Sequence, residues 1–230
     1  VPRTHMKTNS ENAYFFDMDG VLFDSMPRHA IAWEEVMSRH GLPFTARDCY
    51  INEGRTGESV IREAFQKALN RDATPDEVKT IYAEKSAYYH QLLKTTTPTI
   101  PGVADVLQYV KDSGNQIWVV TGSGMRTLLD SLNDVFPAIF QQDRMITAFD
   151  VTHGKPHPEP YLKAWERSGL KKEQCFVIEN APLGVRSGKA AGLTVYAVNT
   201  GILTCEDLLQ AGADAIFDSM AELLLFLQDK

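Results

Sequence analysis

Three cysteines in 230 residues, Cys49, Cys175 and Cys205, are too few and too scattered to frame a disulfide-built fold, and no two stand at zinc-binding spacing. They read as reduced thiols acting as small apolar side chains. No apolar run approaches the roughly 20 residues that span a bilayer, and no charged-then-apolar leader precedes the first apolar segment. A membrane partner is therefore not expected, and cytoplasmic residence is the default. Basic residues are outnumbered, 23 against 30 acids, for a net charge of -7 without any Lys/Arg cluster. That excludes the cationic face which a nucleic-acid partner requires. Internal repeats, low-complexity tracts and heptads are also absent, so a monomer is the default.

What is present suits a folded chain: 43% apolar residues across 230 positions can fill one sizeable domain and a smaller one. Residues Val1 to Met6 resemble a protease-site and cloning remnant, with Met6 as the native start. Short β-rich runs are expected at Ala13 to Met18, Gln116 to Val120, Met145 to Ala148, Cys175 to Glu179, Thr194 to Asn199 and Ala215 to Phe217. Helix-period stretches alternate with them after residue 100, the pattern of a parallel α/β sheet flanked by helices. Val103, Val106, Leu107 and Val110 fall at i, i+3, i+4 and i+7, with Gly114 placed as a C′ residue. Thr74-Pro75-Asp76-Glu77, Thr204 to Asp207 and Ser219 to Glu222 read as helix starts with an acid three residues past the cap.

Residues 26 to 95 differ, for they give about four helices and no convincing strand. One carries the apolar stripe Val60, Ile61, Ala64, Phe65, Ala68 and Leu69. The expectation is a helical cap domain at 26–95, inserted into a core formed by 13–25 and 96–230. The linkers, near Ser25-Met26-Pro27 and Thr95 to Pro101, would permit a hinge.

Chemistry concentrates at strand ends, where ligands bind in a parallel sheet. The buried run Ala13-Tyr14-Phe15-Phe16 delivers Asp17 and Asp19, two apart along extended chain and so on one side. Paired carboxylates repel unless a cation or a shared proton holds them, which implies a hard divalent metal or a nucleophile and an acid of different protonation. After Trp118-Val119-Val120 come Thr121, Gly122 and Ser123, a hydroxyl and flexible amides suited to phosphate oxygens. Lys155 stands in Gly154-Lys155-Pro156-His157-Pro158, and Glu179-Asn180 follow Phe176-Val177-Ile178.

In this order the four segments resemble the motifs of the haloacid dehalogenase superfamily, in its β-phosphoglucomutase-like group with an α-helical cap inserted after the first strand of a Rossmann-like core. The resemblance implies that Asp17 attacks phosphorus and carries an aspartyl-phosphate, and that Asp19 is the general acid and base. It implies Mg²⁺ held by Asp17, Asp19 and Glu179 or Asn180, with Thr121 and Lys155 gripping the transferring phosphoryl group. Relatives commonly carry Glu-Asp where this chain has Glu179-Asn180. A carboxylate from elsewhere can supply the missing charge, and Glu53, in the glycine-flexed loop Asn52-Glu53-Gly54-Arg55-Thr56-Gly57, is the candidate.

Substrate choice turns on Glu53, Arg55 and His29. His29 matches a mutase position associated with control of the acid–base aspartate, and equally fits a histidine packed beside Trp33. The phosphate-gripping arginine of a mutase falls at Gly57, with Arg55 two places early. The loop around Glu53, together with Glu179-Asn180-Ala181-Pro182, resembles the inorganic-pyrophosphatase branch, with Lys155 and Arg55 gripping the two phosphates. The leading expectation is thus a Mg²⁺-dependent phosphohydrolase acting on pyrophosphate. β-Phosphoglucomutase and a sugar-phosphate phosphatase are the alternatives, and a weakly catalytic phospho-ligand-binding regulator is an alternative of another class.

Overall fold

The computed structural model describes residues 11–93, 97–124 and 132–230. Six parallel strands form one sheet in the order β3-β2-β1-β4-β5-β6. These are β1 (Ala13–Phe16), β2 (Gln116–Val120), β3 (Met145–Ile146), β4 (Cys175–Glu179), β5 (Thr194–Val198) and β6 (Ala215–Phe217). β1 lies in the middle, with Phe16 in register with Val119 on one side and Ile178 on the other. The chain order reverses across β1, which places a ligand crevice at its carboxyl end.

Both faces of a parallel sheet must be covered, and each of the two helical layers buries its own core. On one side α5 (Val103–Asp112) and the final helix α9 (Met220–Gln228) pack on Phe16, Val119, Ile178 and Val198. The predicted stripe of α5, Val103, Val106, Leu107 and Val110, is wholly buried. On the other side α6 (Glu159–Ser168), α7 (Pro182–Ala190) and α8 (Cys205–Gln210) cover Phe15, Trp118, Val120 and Val177.

Between β1 and α5 lie the four expected helices, α1 (Met26–Arg39), α2 (Ala46–Ile51), α3 (Gly57–Leu69) and α4 (Pro75–Leu92). They enclose a third apolar cluster around Trp33, Met37, Ile61, Phe65 and Ile81. Thr74 caps α4 by accepting the Glu77 N–H while the Glu77 carboxylate accepts the Thr74 N–H. The α3 stripe ends early: Val60, Ile61, Ala64 and Phe65 are buried, whereas Ala68 and Leu69 are exposed. The two linkers run side by side, with the Asp24 N–H donating to Pro98 O at 2.8 Å; Thr95 and Thr96 lie outside the described residues. None of the described helices is long and apolar enough to cross a membrane.

Candidate functional site

β1 ends at Phe16 rather than at Met18, since the chain must leave the sheet to present its carboxylates. The Asp17 N–H still joins the ladder through Ile178 O at 3.0 Å, which fixes Asp17 over the strand end. From Met18 the backbone folds into a tight turn: Met18 O accepts the N–H groups of Leu22 and Phe23, and Gly20 takes φ 76°. A Cβ on Gly20 would also stand 2.1 Å from Asn180 Nδ2, so no larger residue fits there.

The Lys155 ammonium is buried at the centre of the site. It donates to Asp17 Oδ1 at 2.7 Å, Glu179 Oε1 at 2.6 Å and Val120 O at 3.0 Å. Glu179 Oε1 also accepts the Tyr161 hydroxyl at 2.7 Å, and Oε2 accepts the Asn180 N–H at 3.1 Å. Both Glu179 oxygens are thereby engaged with the protein. Glu179 thus holds Lys155, and the Asn180 Oδ1 beside it is buried with no protein donor.

Burial, followed by the negative charge of Glu179, raises Asp17 to about 7 although Lys155 acts in the opposite direction. Burial would raise Asp19 as well, but His29, the Ser25 hydroxyl at 2.5 Å and Lys85 outweigh it and hold Asp19 below its ordinary value. The two aspartates are thus driven apart, one toward a proton and the other toward charge.

Asp19 has a second tier behind it. His29 Nε2 stands 3.5 Å from Asp19 Oδ1, while its Nδ1 meets Lys85 Nζ at 2.7 Å. A lysine can only donate, so Nδ1 is the acceptor and the proton of neutral His29 lies on Nε2, facing Asp19. Burial and then Lys85 lower the His29 pKa, consistent with the neutral ring. Lys85, lowered by burial to about 8, also lies over the Trp33 and Tyr89 rings. Sequence reasoning missed Lys85 and Tyr161. The signal for Lys85 is its place in the i, i+4, i+8 series Ile81, Lys85, Tyr89, all buried on one face of α4.

The loop between α2 and α3 closes over these groups. Glu53 is 6% exposed, and its carboxylate accepts from Asn180 Nδ2 at 2.9 and 3.0 Å. Burial, with Asp17 and Glu179 adding to it, pushes Glu53 well above the ordinary carboxylate range. Gly54 and Gly122 allow the approach: a Cβ on Gly122 would stand 2.4 Å from Gly54 O, and one on Gly54 would stand 2.8 Å from Lys155 Cδ. Thr121 is buried and accepts the Ser123 N–H at 3.0 Å, while Arg55 lines the cavity and pairs with Glu63 at 2.8 Å. Residues 125–131, which follow this loop, lie outside the described residues. The cavity, partly open to solvent, is about 80 Å³ and is lined by Asp17, Asp19, His29, Glu53, Arg55 and Thr121 among others.

The donor set fits a hard divalent cation. Asp17, Asp19 and Glu53 line one cavity as oxygen donors, Asn180 joins Glu53 through Nδ2, and Asn180 Oδ1 has no protein partner to satisfy it.

Relatives agree with this geometry. Residues 11–192 match the family model of haloacid dehalogenase-like hydrolases. The phosphorylated carbohydrates phosphatase of Thermotoga maritima is 32% identical over 89% of this chain and 93% of its own length. Hexitol phosphatase A of Escherichia coli is 29% identical over 81% of this chain and 82% of its own. A solved structure from Bacteroides vulgatus, assigned provisionally to β-phosphoglucomutase, shares 45% identity and a TM-score of 0.90, covering 95% of this chain and 88% of its own. By fold, motif order and sequence, the chain belongs to the haloacid dehalogenase-like hydrolases.

Proposed function

We propose that this protein is a Mg²⁺-dependent phosphatase of small phosphorylated sugars or polyols, working through a phosphoryl group carried on Asp17. The observation that carries the reading is the Asp17–Lys155–Glu179 arrangement at the centre of the sheet edge, with Asn180 Oδ1 left open beside it. Lys155 holds one Asp17 oxygen, which leaves the other to attack phosphorus while the bond to the leaving oxygen breaks. Asp19, ionised in the free site, relays a proton from the monoanionic phosphate ester to that leaving oxygen, then takes one from the water that attacks the aspartyl-phosphate, so that Asp17 is regenerated and phosphate is released. Thr121, the amides of Gly122 and Ser123, and Lys155 are assigned to the transferring oxygens. Asp17, Asp19 and Asn180 would hold Mg²⁺, which supplies positive charge between two anions. Glu53 is the additional carboxylate proposed for that ion.

The substrate class rests on the relatives, whose names place phosphorylated carbohydrates and hexitols ahead of the pyrophosphate that the Glu53 loop alone suggests. Pyrophosphate stays as a second reading on one specific observation. With Glu53 in its lining the cavity is about 80 Å³, far below the ~300 Å³ of ordinary small-molecule sites, and a compact anion suits it better than a sugar phosphate. Mutase chemistry stays as an alternative on the 45% identical structure assigned provisionally to β-phosphoglucomutase; against it, the far-phosphate arginine of a mutase falls at Gly57, where a Cβ would stand 2.2 Å from the Tyr82 ring. The pairing of Arg55 with Glu63 also leaves it less free to grip a second phosphate.

Phosphate release with Mg²⁺, and with chelator as control, tests the reading when hexitol, hexose and glycerol phosphates are ranked against pyrophosphate by kcat/KM. Preference for a sugar or polyol phosphate is expected. Preference for pyrophosphate would move the assignment to the second reading, and binding without turnover would leave only a regulator.

A further inference from the structure

We propose that His153, His157 and Glu159 form a second metal site, one that takes an imidazole-seeking divalent cation such as Zn²⁺ and lies outside the oxygen-lined cavity. Among the described residues this is the group of histidine and acidic side chains whose ligand atoms gather closely without belonging to that cavity: they lie within 4.8 Å of one another. The two rings are 4.6 Å apart between centroids. Both rings use Nδ1 for local contacts within the group. His157 Nδ1 accepts a 3.2 Å contact from the Glu159 N–H, and His153 Nδ1 faces Glu159 Oε2 at 3.1 Å.

The carboxylate is set in place before any ion arrives. Glu159 Oε1 accepts the Thr152 N–H at 3.0 Å and Oε2 accepts the His153 N–H at 2.8 Å. Those bonds and Lys163 depress the Glu159 carboxyl to about 2, so it is ionised at any working pH. A cation therefore has only to draw in the two ring nitrogens, and the 62% exposed His153 side chain has room to turn. Lys163, 3.0 Å from Glu159 Oε1, opposes the incoming charge and keeps the site exchangeable. Three protein ligands leave a coordination position for water, unlike the closed four-ligand sets of structural zinc.

Imidazole with one carboxylate favours zinc-like ions, whereas carboxylate and amide oxygens favour Mg²⁺, so the two sites differ in their choice of ion. His153 and His157 flank Lys155 two residues to either side, and a bound cation would clamp both shoulders of the loop that presents it. Ring nitrogens need a free lone pair, so binding must weaken as the solution is acidified.

The test uses the whole chain, stripped with chelator and returned to excess Mg²⁺ so that the oxygen site is filled. Co²⁺ is titrated in while its visible absorption is followed, and Zn²⁺ is then used to displace it. The expected result is one saturable equivalent of Co²⁺, displaced by Zn²⁺ and weakened roughly ten-fold or more by His157→Asn and by His153→Gln. Mg²⁺-dependent turnover measured without Co²⁺ or Zn²⁺ should stay at the wild-type level in both variants, which also shows that they fold. Absence of Co²⁺ binding in the wild type, or binding that survives the double variant, would overturn the proposal.

Discussion

Lys155 decides the charge balance at the site, because it is the ammonium that touches both Asp17 and Glu179, with all three side chains at most 3% exposed. Removing one member of such a group leaves uncompensated buried charge. Lys155→Met is expected to cost about 3–5 kcal/mol at neutral pH by urea unfolding, and to abolish turnover. The proton on Asp17 yields a second prediction. Its folded value, raised to about 7, exceeds that of an unfolded aspartate, so the stability it contributes is complete at low pH and is lost as pH rises through about 7. A cation that takes the place of the proton removes this loss, so the rise in Tm produced by Mg²⁺ should grow between roughly pH 6 and 8. A rise independent of pH would contradict the linkage. Lys85 acts on Asp19 from behind His29, so Lys85→Met should lower kcat and move the Asp19 limb of the pH–rate profile upward; an unmoved profile would leave Lys85 with packing alone.

The site closes where two loops meet backbone to backbone. Gly122 follows β2 and Gly54 lies between α2 and α3; a methyl group on Gly122 would stand 2.4 Å from Gly54 O, which no side-chain rotation relieves. Gly122→Ala should therefore hold the helical cap away from the core and lower kcat/KM by on the order of 10²-fold, with far-ultraviolet circular dichroism unchanged. The same boundary explains how legible the elements were. β2, β4 and β6 run over the residues expected from their β-rich composition, whereas β1 and β3 stop two residues short and β5 one. The missing residues, Asp17, Met18, Thr147, Ala148 and Asn199, lie where the chain leaves the sheet for the site loops, although the Asp17 and Asn199 N–H groups still reach the neighbouring strand, and composition does not record where the ladder stops. Asp17, Asp19, Thr121 and Lys155 were legible because each follows a strand or sits in a proline-fixed loop. The Lys155–Glu179–Tyr161 bonds were not, for they join residues whose distance in space depends on how α6 packs on the sheet.

At the scale of the molecule, a parallel sheet brings four separate chain segments to one edge, and an inserted helical unit closes over them. The negative chain gathers its local positive charge from Lys155 and Lys85, one from the core and one from the cap, so the site is complete only when the two meet. Glu53 lines that small cavity and narrows it, which bears on selectivity. Glu53→Ala should weaken Mg²⁺ activation and favour larger sugar phosphates over pyrophosphate in kcat/KM, while unchanged values for both would remove Glu53 from the site. The central claim is that Asp17 carries the phosphoryl group. It is tested most directly by mixing enzyme, Mg²⁺ and a ³²P-labelled sugar phosphate, quenching in acid within the first turnover and counting label bound to protein. The account predicts acid-stable, hydroxylamine-labile label on the wild type and none on Asp17→Asn. Turnover without bound label, or equal label on both proteins, would contradict it.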